Sequence, residues 1–150
     1  MNDLSNNLAV TFSFQVVVEG VSEDNAFQEA SGLEIELDVE TVSEGGENTF
    51  EHSLPKGPKH SNLVLKRGIV KRNSRLVTWV KEVLESGFEQ KIKPANIKLN
   101  LLDQNGEPAA SWSLTSAWPV KWSVGTLDAA KNVLAVETIE FAYNSLKRTL

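Results

Sequence analysis

The residues best equipped for chemistry in this 150-residue chain are two histidines, a run of carboxylates and a few serines beside glycine, and their spacing limits what each can do. His52 and His60 flank a Pro/Gly-rich turn and match neither the HExxH pattern nor a His-plus-cysteine pattern, so no metal site is expected. The chain has no cysteine, which removes thiol nucleophiles, thiolate metal sites and disulfides together. Ser31-Gly32 and Ser111 lack a GxSxG elbow, and local context supplies no Ser, His and Asp set. Glu44-Gly45-Gly46-Glu47 is glycine-rich, but its flanking acids would repel a phosphate and it lacks the Gly-Lys-Ser/Thr ending of a P-loop. Glu34, Glu36, Asp38 and Glu40 alternate along one segment and so share one strand face, whereas a glycosidase pair must oppose across a cleft. The expectation is a protein that is not an enzyme, with no catalytic residue, cofactor or metal.

Charge is ordered along the chain. Residues 1–55 hold twelve Asp or Glu and no Lys or Arg, within a net charge of −5. From Lys56 the basic residues Lys59, Lys66, Arg67, Lys71, Arg72, Arg75 and Lys81 follow with no acid until Glu82. Two readings stand: sheet topology mixes these segments in space, or opposite surfaces suit head-to-tail association with copies of the same chain. The run from Lys56 to Arg75 contains no Phe, Tyr or Trp to stack on bases, which speaks against direct nucleic-acid binding.

The elements that must carry these residues are mostly extended. Val10, Phe12, Phe14, Val16 and Val18 alternate through Leu8 to Gly20, the signature of a strand with one buried face. After a polar excursion from Val21 to Glu29, Leu33, Ile35, Leu37 and Val39 alternate with the four carboxylates. This pattern predicts a strand whose apolar set lies against the core and whose other face is a carboxylate ladder spaced about 7 Å apart, to be wetted by solvent, a channel or a partner. Ser43 to Asn48 reads as an exposed loop, Thr49 to Leu54 as a short strand, and Pro55, Gly57 and Pro58 as a break before a strand around Leu63-Val64-Leu65.

Leu76, Val77, Val80, Val83 and Leu84 form one stripe of a helix over residues 74–86, capped by Asn73 or Ser74 and ended by Gly87. Ala95 to Leu102 and Ala109 to Ala117 form a hairpin around Asp103-Gln104-Asn105-Gly106, with Asn-Gly supplying positive φ angles. Trp118 to Trp122 bends into a further strand with Pro119 at an edge or bulge, and Val133 to Tyr143 is the last strand. For at least two of Trp112, Trp118 and Trp122 core packing is expected.

Composition fits one domain over residues 1–150, 41% apolar and 23% charged, with no run near the roughly 20 apolar residues of a membrane helix. Met1 to Asn7 has no basic residue or apolar h-region, so neither signal peptide nor presequence is expected, and cytoplasmic synthesis is.

Four segments stand out when read in order: Ser31-Gly32-Leu33-Glu34-Ile35-Glu36; Glu44-Gly45-Gly46 leading to Leu54-Pro55; Asn62-Leu63-Val64-Leu65-Lys66-Arg67-Gly68; and Ala117-Trp118-Pro119-Val120-Lys121-Trp122 followed by Ala135-Val136-Glu137-Thr138-Ile139-Glu140-Phe141. Together they resemble the tail tube family of contractile phages and of extracellular contractile injection systems. The polar segment Val21 to Asn25 is a departure from the family pattern. The resemblance implies a mainly β fold with one α-helix, an antiparallel β-barrel or sandwich of the phage tail tube type. It further implies six copies closing into a ring, and rings stacking into a hollow tube inside a sheath, with baseplate and cap proteins as partners and effector protein or DNA as cargo. No membrane anchoring is implied.

By the same analogy Glu34, Glu36, Asp38 and Glu40 would face the lumen. Glu44, Gly45, Gly46, Glu47, Asn48, Lys56 and Lys59 would belong to a loop reaching the neighbouring ring. Alternatives are a ring-forming tube protein of a type VI secretion system and a monomeric β-sandwich that binds carbohydrate on its tryptophans.

Overall fold

A computed structural model of the chain describes residues 12–43, 51–69, 74–86, 93–128, 130 and 135–150. Period-two alternation builds most of it. The strands are β1 (Ser13–Val18), β2 (Ser22–Phe27), β3 (Glu29–Ser31), β4 (Glu36–Ser43), β5 (Glu51–Lys59) and β6 (Leu63–Gly68), then β7 (Ala95–Leu102), β8 (Pro108–Val124), β9 (Val136–Ala142) and β10 (Ser145–Arg148). The helix α1 (Arg75–Ser86) lies between β6 and β7.

Among the described residues all pairing is antiparallel, in the order β2-β1-β7-β8-β9-β6-β3, with β10 also on β8 and β4 paired only with β5. Strand β8 belongs to two sheets. Its first half pairs with β7 and β10 and its second half with β9. The switch falls at Ser116, whose φ of 50° is unusual for a residue with a side chain. There β8 carries one more residue than β7 between the pairs Ile97–Leu114 and Ala95–Ala117, a bulge that turns the strand from one layer into the other. The Ser116 N–H donates to Asn96 Oδ1 at 3.1 Å, so the bulged backbone keeps a partner.

The inner faces meet in one core. Val16, Val18, Ile97, Leu99 and Leu114 of the first layer pack with Leu63, Leu65, Ile139 and Phe141 of the second. Phe27 closes the space from the side, and Leu76 and Val80 come from α1. The hydrogen-bonded path stays open between β2 and β3 among the described residues, so of the two expected forms this is a sandwich. Trp112 and Trp122 pack against the core as expected, each partly buried.

Ser74 caps α1: its Oγ accepts from the Val77 N–H at 3.3 Å and its carbonyl from the Thr78 N–H at 3.0 Å. Leu84, expected on the buried stripe, is exposed because the stripe is needed only where α1 crosses the sandwich. Gly87 and Asn73 lie outside the described residues. In the β7–β8 turn only Gly106 has positive φ, at 78°. Asp103 Oδ1 accepts from the N–H groups of Asn105 and Glu107 at 2.8 and 3.0 Å, so the carboxylate, and not a left-handed Asn105, shapes the turn.

Other expectations fail in informative ways. The polar excursion contains β2 and ends where β3 begins, and their pairing with β1 and β6 outweighs poor strand propensity. Trp118 to Trp122 continues β8 instead of starting a new strand, with the expected bulge between Pro119 and Lys121. The last strand is followed by β10. Pro55, Gly57 and Pro58 do not break the chain: they lie inside β5, tolerated because β5 has one strand partner among the described residues and a register shift between Asp38 and Val39 opposite. Arg67, read as part of a basic surface run, is buried, 3.8 Å from Glu137.

Candidate functional site

The clearest amphipathic stretch of the sequence forms a two-stranded arm. Strands β4 and β5 pair from Glu36–Lys59 to Ser43–Glu51 and, among the described residues, with no other strand. Ile35, Leu37 and Val39 are exposed by 58%, 61% and 54%, against the expectation that they face the core. The alternation was real and so is the strand. What the sequence does not encode is where the strand lies, and here it pairs outside the sandwich sheets, so that the apolar side chains of Ile35, Leu37 and Val39 do not meet the core. Three branched aliphatic side chains standing in water, Ile35 just before β4 and Leu37 and Val39 within it, form a surface with an unmet demand for burial, roughly 1.5–3 kcal/mol per side chain if fully covered.

The base of the arm is fixed by residues from three elements. Gly32, at φ 88°, turns the chain between β3 and β4, and its carbonyl oxygen accepts from the Glu34 N–H at 2.9 Å and the Tyr143 hydroxyl at 3.4 Å. Tyr143 stacks on His60, with ring centroids 3.9 Å apart and planes 7° from parallel. The two ring nitrogens of His60 lie 3.2 Å from the carbonyl oxygens of Ser61 and Asn144, so either tautomer places its N–H on a backbone acceptor. Ser61 Oγ donates to Glu34, and Asn62 Nδ2 donates to Glu140 Oε1 at 3.0 Å. Burial, and then the charge of Glu34, raise the pKa of the Tyr143 phenol above its ordinary value of 10.0.

Glu34, Glu36, Lys59, His60 and Ser61 line an open polar cleft of about 240 Å³ at this base. Lys59 Nζ is 3.7 Å from Glu36 Oε2, an exposed pair that water and salt largely screen. Opposite charges in one small open cleft neutralise each other, which suits a joint better than a ligand site. Among the described residues no group of three or more His, Cys, Asp and Glu is placed to hold a metal. None of the described helices is long and apolar enough to cross a membrane.

The sequence-predicted site residues divide accordingly. Glu34 precedes β4 and turns to Ser61, so it is not part of a continuous four-carboxylate ladder. Glu36 opens β4 beside Lys59. Asp38 and Glu40 follow on β4 opposite Gly57 and Leu54, with side chains outside the described set. Lys56 sits in β5, its side chain likewise outside it. Glu44, Gly45, Gly46, Glu47 and Asn48 lie outside the described residues, as does the His52 side chain. The stack of His60 on Tyr143 was missed, because residues 83 positions apart carry no local signal.

Comparison with known proteins fits this architecture. Residues 10–147 match the family described as T4-like virus tail tube protein gp19. A chain in the cryo-EM structure of the anti-feeding prophage baseplate, 6-fold symmetrised, is 28% identical with a TM-score of 0.70, covering 92% of this chain and 91% of that one. A chain in the sheath–tube complex of the extracellular contractile injection system PVC, in its extended state, is 23% identical with a TM-score of 0.71, covering 91% and 87%. A type six secretion system protein shares the fold at 13% identity and a TM-score of 0.59, covering 91% and 82%. No curated protein sequence matches the chain.

Proposed function

We infer that this chain, which belongs to the T4-like virus tail tube protein family, is a tube subunit of a contractile injection system whose working form is a ring of six copies stacked into a hollow tube. The chain is a tail tube protein by family; ring number, stacking and cargo are the inference. The observation that carries it is the bare apolar face of Ile35, Leu37 and Val39 on an arm outside the sandwich. A monomer gains nothing by exposing three adjacent aliphatic residues, whereas a subunit whose arm lies on a neighbouring copy buries them.

In this reading the whole chain acts as one tube domain and catalyses nothing. The far end of the arm, with Glu44, Gly45, Gly46, Glu47, Asn48 and Lys56, contacts the neighbouring ring, and Lys59 holds its base. When the aliphatic face of β4 is covered, the carboxylates Glu36, Asp38 and Glu40 are left on the uncovered side, where they line the lumen with negative charge and discourage acidic cargo from sticking. Sheath protein outside, baseplate and cap proteins at the ends, and effector protein or DNA within complete the particle. The subunit is made in the cytoplasm and ends as part of a phage tail or an extracellular particle. The greater identity to the anti-feeding prophage chain than to the type six secretion system protein supports this reading over a type VI ring.

Negative-stain microscopy of concentrated purified protein tests it. Six-fold rings or hollow rods are expected; monomers at every concentration would sink it.

A further inference from the structure

Asn105-Gly106 is the single Asn-Gly pair in the sequence, and it lies in the turn between β7 and β8. That pair carries its own chemistry. The backbone nitrogen of the residue after an asparagine can attack the side-chain amide carbon, and glycine, with no side chain, hinders that attack least. Both residues are exposed, and nothing lies within 4 Å of the place a β-carbon on Gly106 would take. Among the described residues no hydrogen bond holds the Asn105 carboxamide. Water has free access to the reacting atoms, and steric cover does not protect them.

What restrains the pair is Asp103. Its carbonyl oxygen accepts from the Gly106 N–H at 3.0 Å, and that nitrogen is the one that would have to act as nucleophile. Its Oδ1 accepts from the Asn105 N–H at 2.8 Å and the Glu107 N–H at 3.0 Å, and its own N–H donates to the Glu107 carbonyl at 2.9 Å. Asn105 is thus pinned at its own nitrogen and at the next one. The rotation that would bring its amide carbon onto the Gly106 nitrogen breaks those hydrogen bonds. Charge acts in the same direction: the attack requires the Gly106 nitrogen to give up its proton, and the Asp103 carboxylate, bound to the N–H groups on either side, opposes negative charge there.

We propose that Asn105 is a deamidation site that Asp103 holds closed, so that modification proceeds only when the turn opens. In the open turn the Gly106 nitrogen loses its proton and bonds to Asn105 Cγ, the carbon–nitrogen bond of the carboxamide breaks, and the proton leaves with that nitrogen as ammonia. Water then opens the resulting succinimide at one of its two carbonyls, giving aspartate or, where the chain now runs through the side chain, isoaspartate. Either product adds a negative charge near Asp103 and Glu107. Isoaspartate also lengthens the backbone by a carbon within a turn closed by hydrogen bonds at both ends, and Leu102 beside it pairs with Ser13 of β1 and Pro108 of β8. Asp103 is in these terms a positioning residue, one that sets how long the end of the hairpin keeps its form.

Peptide mapping by mass spectrometry tests this. Trypsin cleavage after Lys98 and Lys121 releases Asn105 in one peptide, in which fragmentation locates the amide-to-acid mass gain and chromatography separates isoaspartate from aspartate. At neutral pH the folded parent is expected to convert Asn105 at least about tenfold more slowly than the same protein unfolded in guanidinium chloride. Asp103→Ala, which loses two charge-assisted hydrogen bonds, should speed conversion in buffer by about tenfold or more, while Asp103→Asn, which keeps an oxygen acceptor, should stay within about threefold of the parent. A parent that converts as fast folded as unfolded would overturn the proposal, as would an unfolded chain that does not convert at Asn105. Folded Asp103→Ala at the parent's rate, or folded Asp103→Asn at the unfolded rate, would equally remove Asp103 from its role. If Asp103→Ala does not fold, the comparison of folded with unfolded parent and the Asp103→Asn rate decide the matter.

Discussion

The backbone of Gly32 passes so close to Asn62 that a β-carbon on residue 32 would lie 1.9 Å from the Asn62 carbonyl oxygen. No side chain fits there without moving backbone, and the φ of 88° independently disfavours any residue with one. This joint sets the direction in which the arm leaves the sandwich. Gly32→Ala should lower stability by more than about 1 kcal/mol and abolish rods. An unchanged urea midpoint with normal rods would show that the joint tolerates displacement.

The arm should be dispensable for folding and indispensable for assembly. Leu37 is exposed, so Leu37→Glu should alter unfolding free energy by no more than about 0.5 kcal/mol while leaving the protein monomeric in sedimentation. A large loss of stability would mean that Leu37 is covered within the monomer after all.

Arg67 and Glu137 are direct partners on β6 and β9, 3.8 Å apart and buried, with the Phe27 ring 4.5 Å from the guanidinium carbon and Trp122 Nε1 donating to Glu137 at 3.0 Å. Arg67→Met strands a buried carboxylate and should cost about 3–5 kcal/mol in denaturant unfolding. The double variant Arg67→Met, Glu137→Gln should recover a large part of that loss, since the uncompensated charge is gone. Equal losses in both would place the cost in packing instead.

Tyr143 gives a pH signature at the base of the arm. Its phenol is raised above 10.0 in the folded chain, first by burial and then by Glu34, so the unfolded chain ionises first as pH rises. Its contribution to stability is complete below pH 10.0 and is lost as pH climbs through the folded value. Stability measured from pH 9 upward should fall less steeply in Tyr143→Phe than in the parent. Parallel curves would remove the phenol from the account.

A core substitution calibrates these numbers. Leu65 is fully buried between the layers, so Leu65→Ala should cost about 2–5 kcal/mol, and a cost below 1 kcal/mol would contradict the packing.

Much of the sandwich was readable in advance because alternation is a local property. Val16 and Val18, Ile97 and Leu99, and Ile139 and Phe141 each announce a buried face within a few residues of themselves. Ser74 and the stripe through Leu76 and Val80 announce the helix in the same way. Strands β2 and β10 gave no such signal. The polar β2 is held as a strand by its pairing with β1, and β10 by its pairing with β8, both relations between distant segments.

The sequence by itself determined that the chain is mainly β with one helix, that cysteine chemistry is closed to it, and that acids precede bases along its length. It also determined that residues 35–39 alternate in polarity as an amphipathic strand does, because side-chain polarity and period are written residue by residue. Only the tertiary structure decided that the apolar side of that strand stands in solvent, that Arg67 is buried, and that His60 stacks on Tyr143. Those outcomes depend on which strands pair and in what register, and pairing energy is shared between segments that neither one specifies alone.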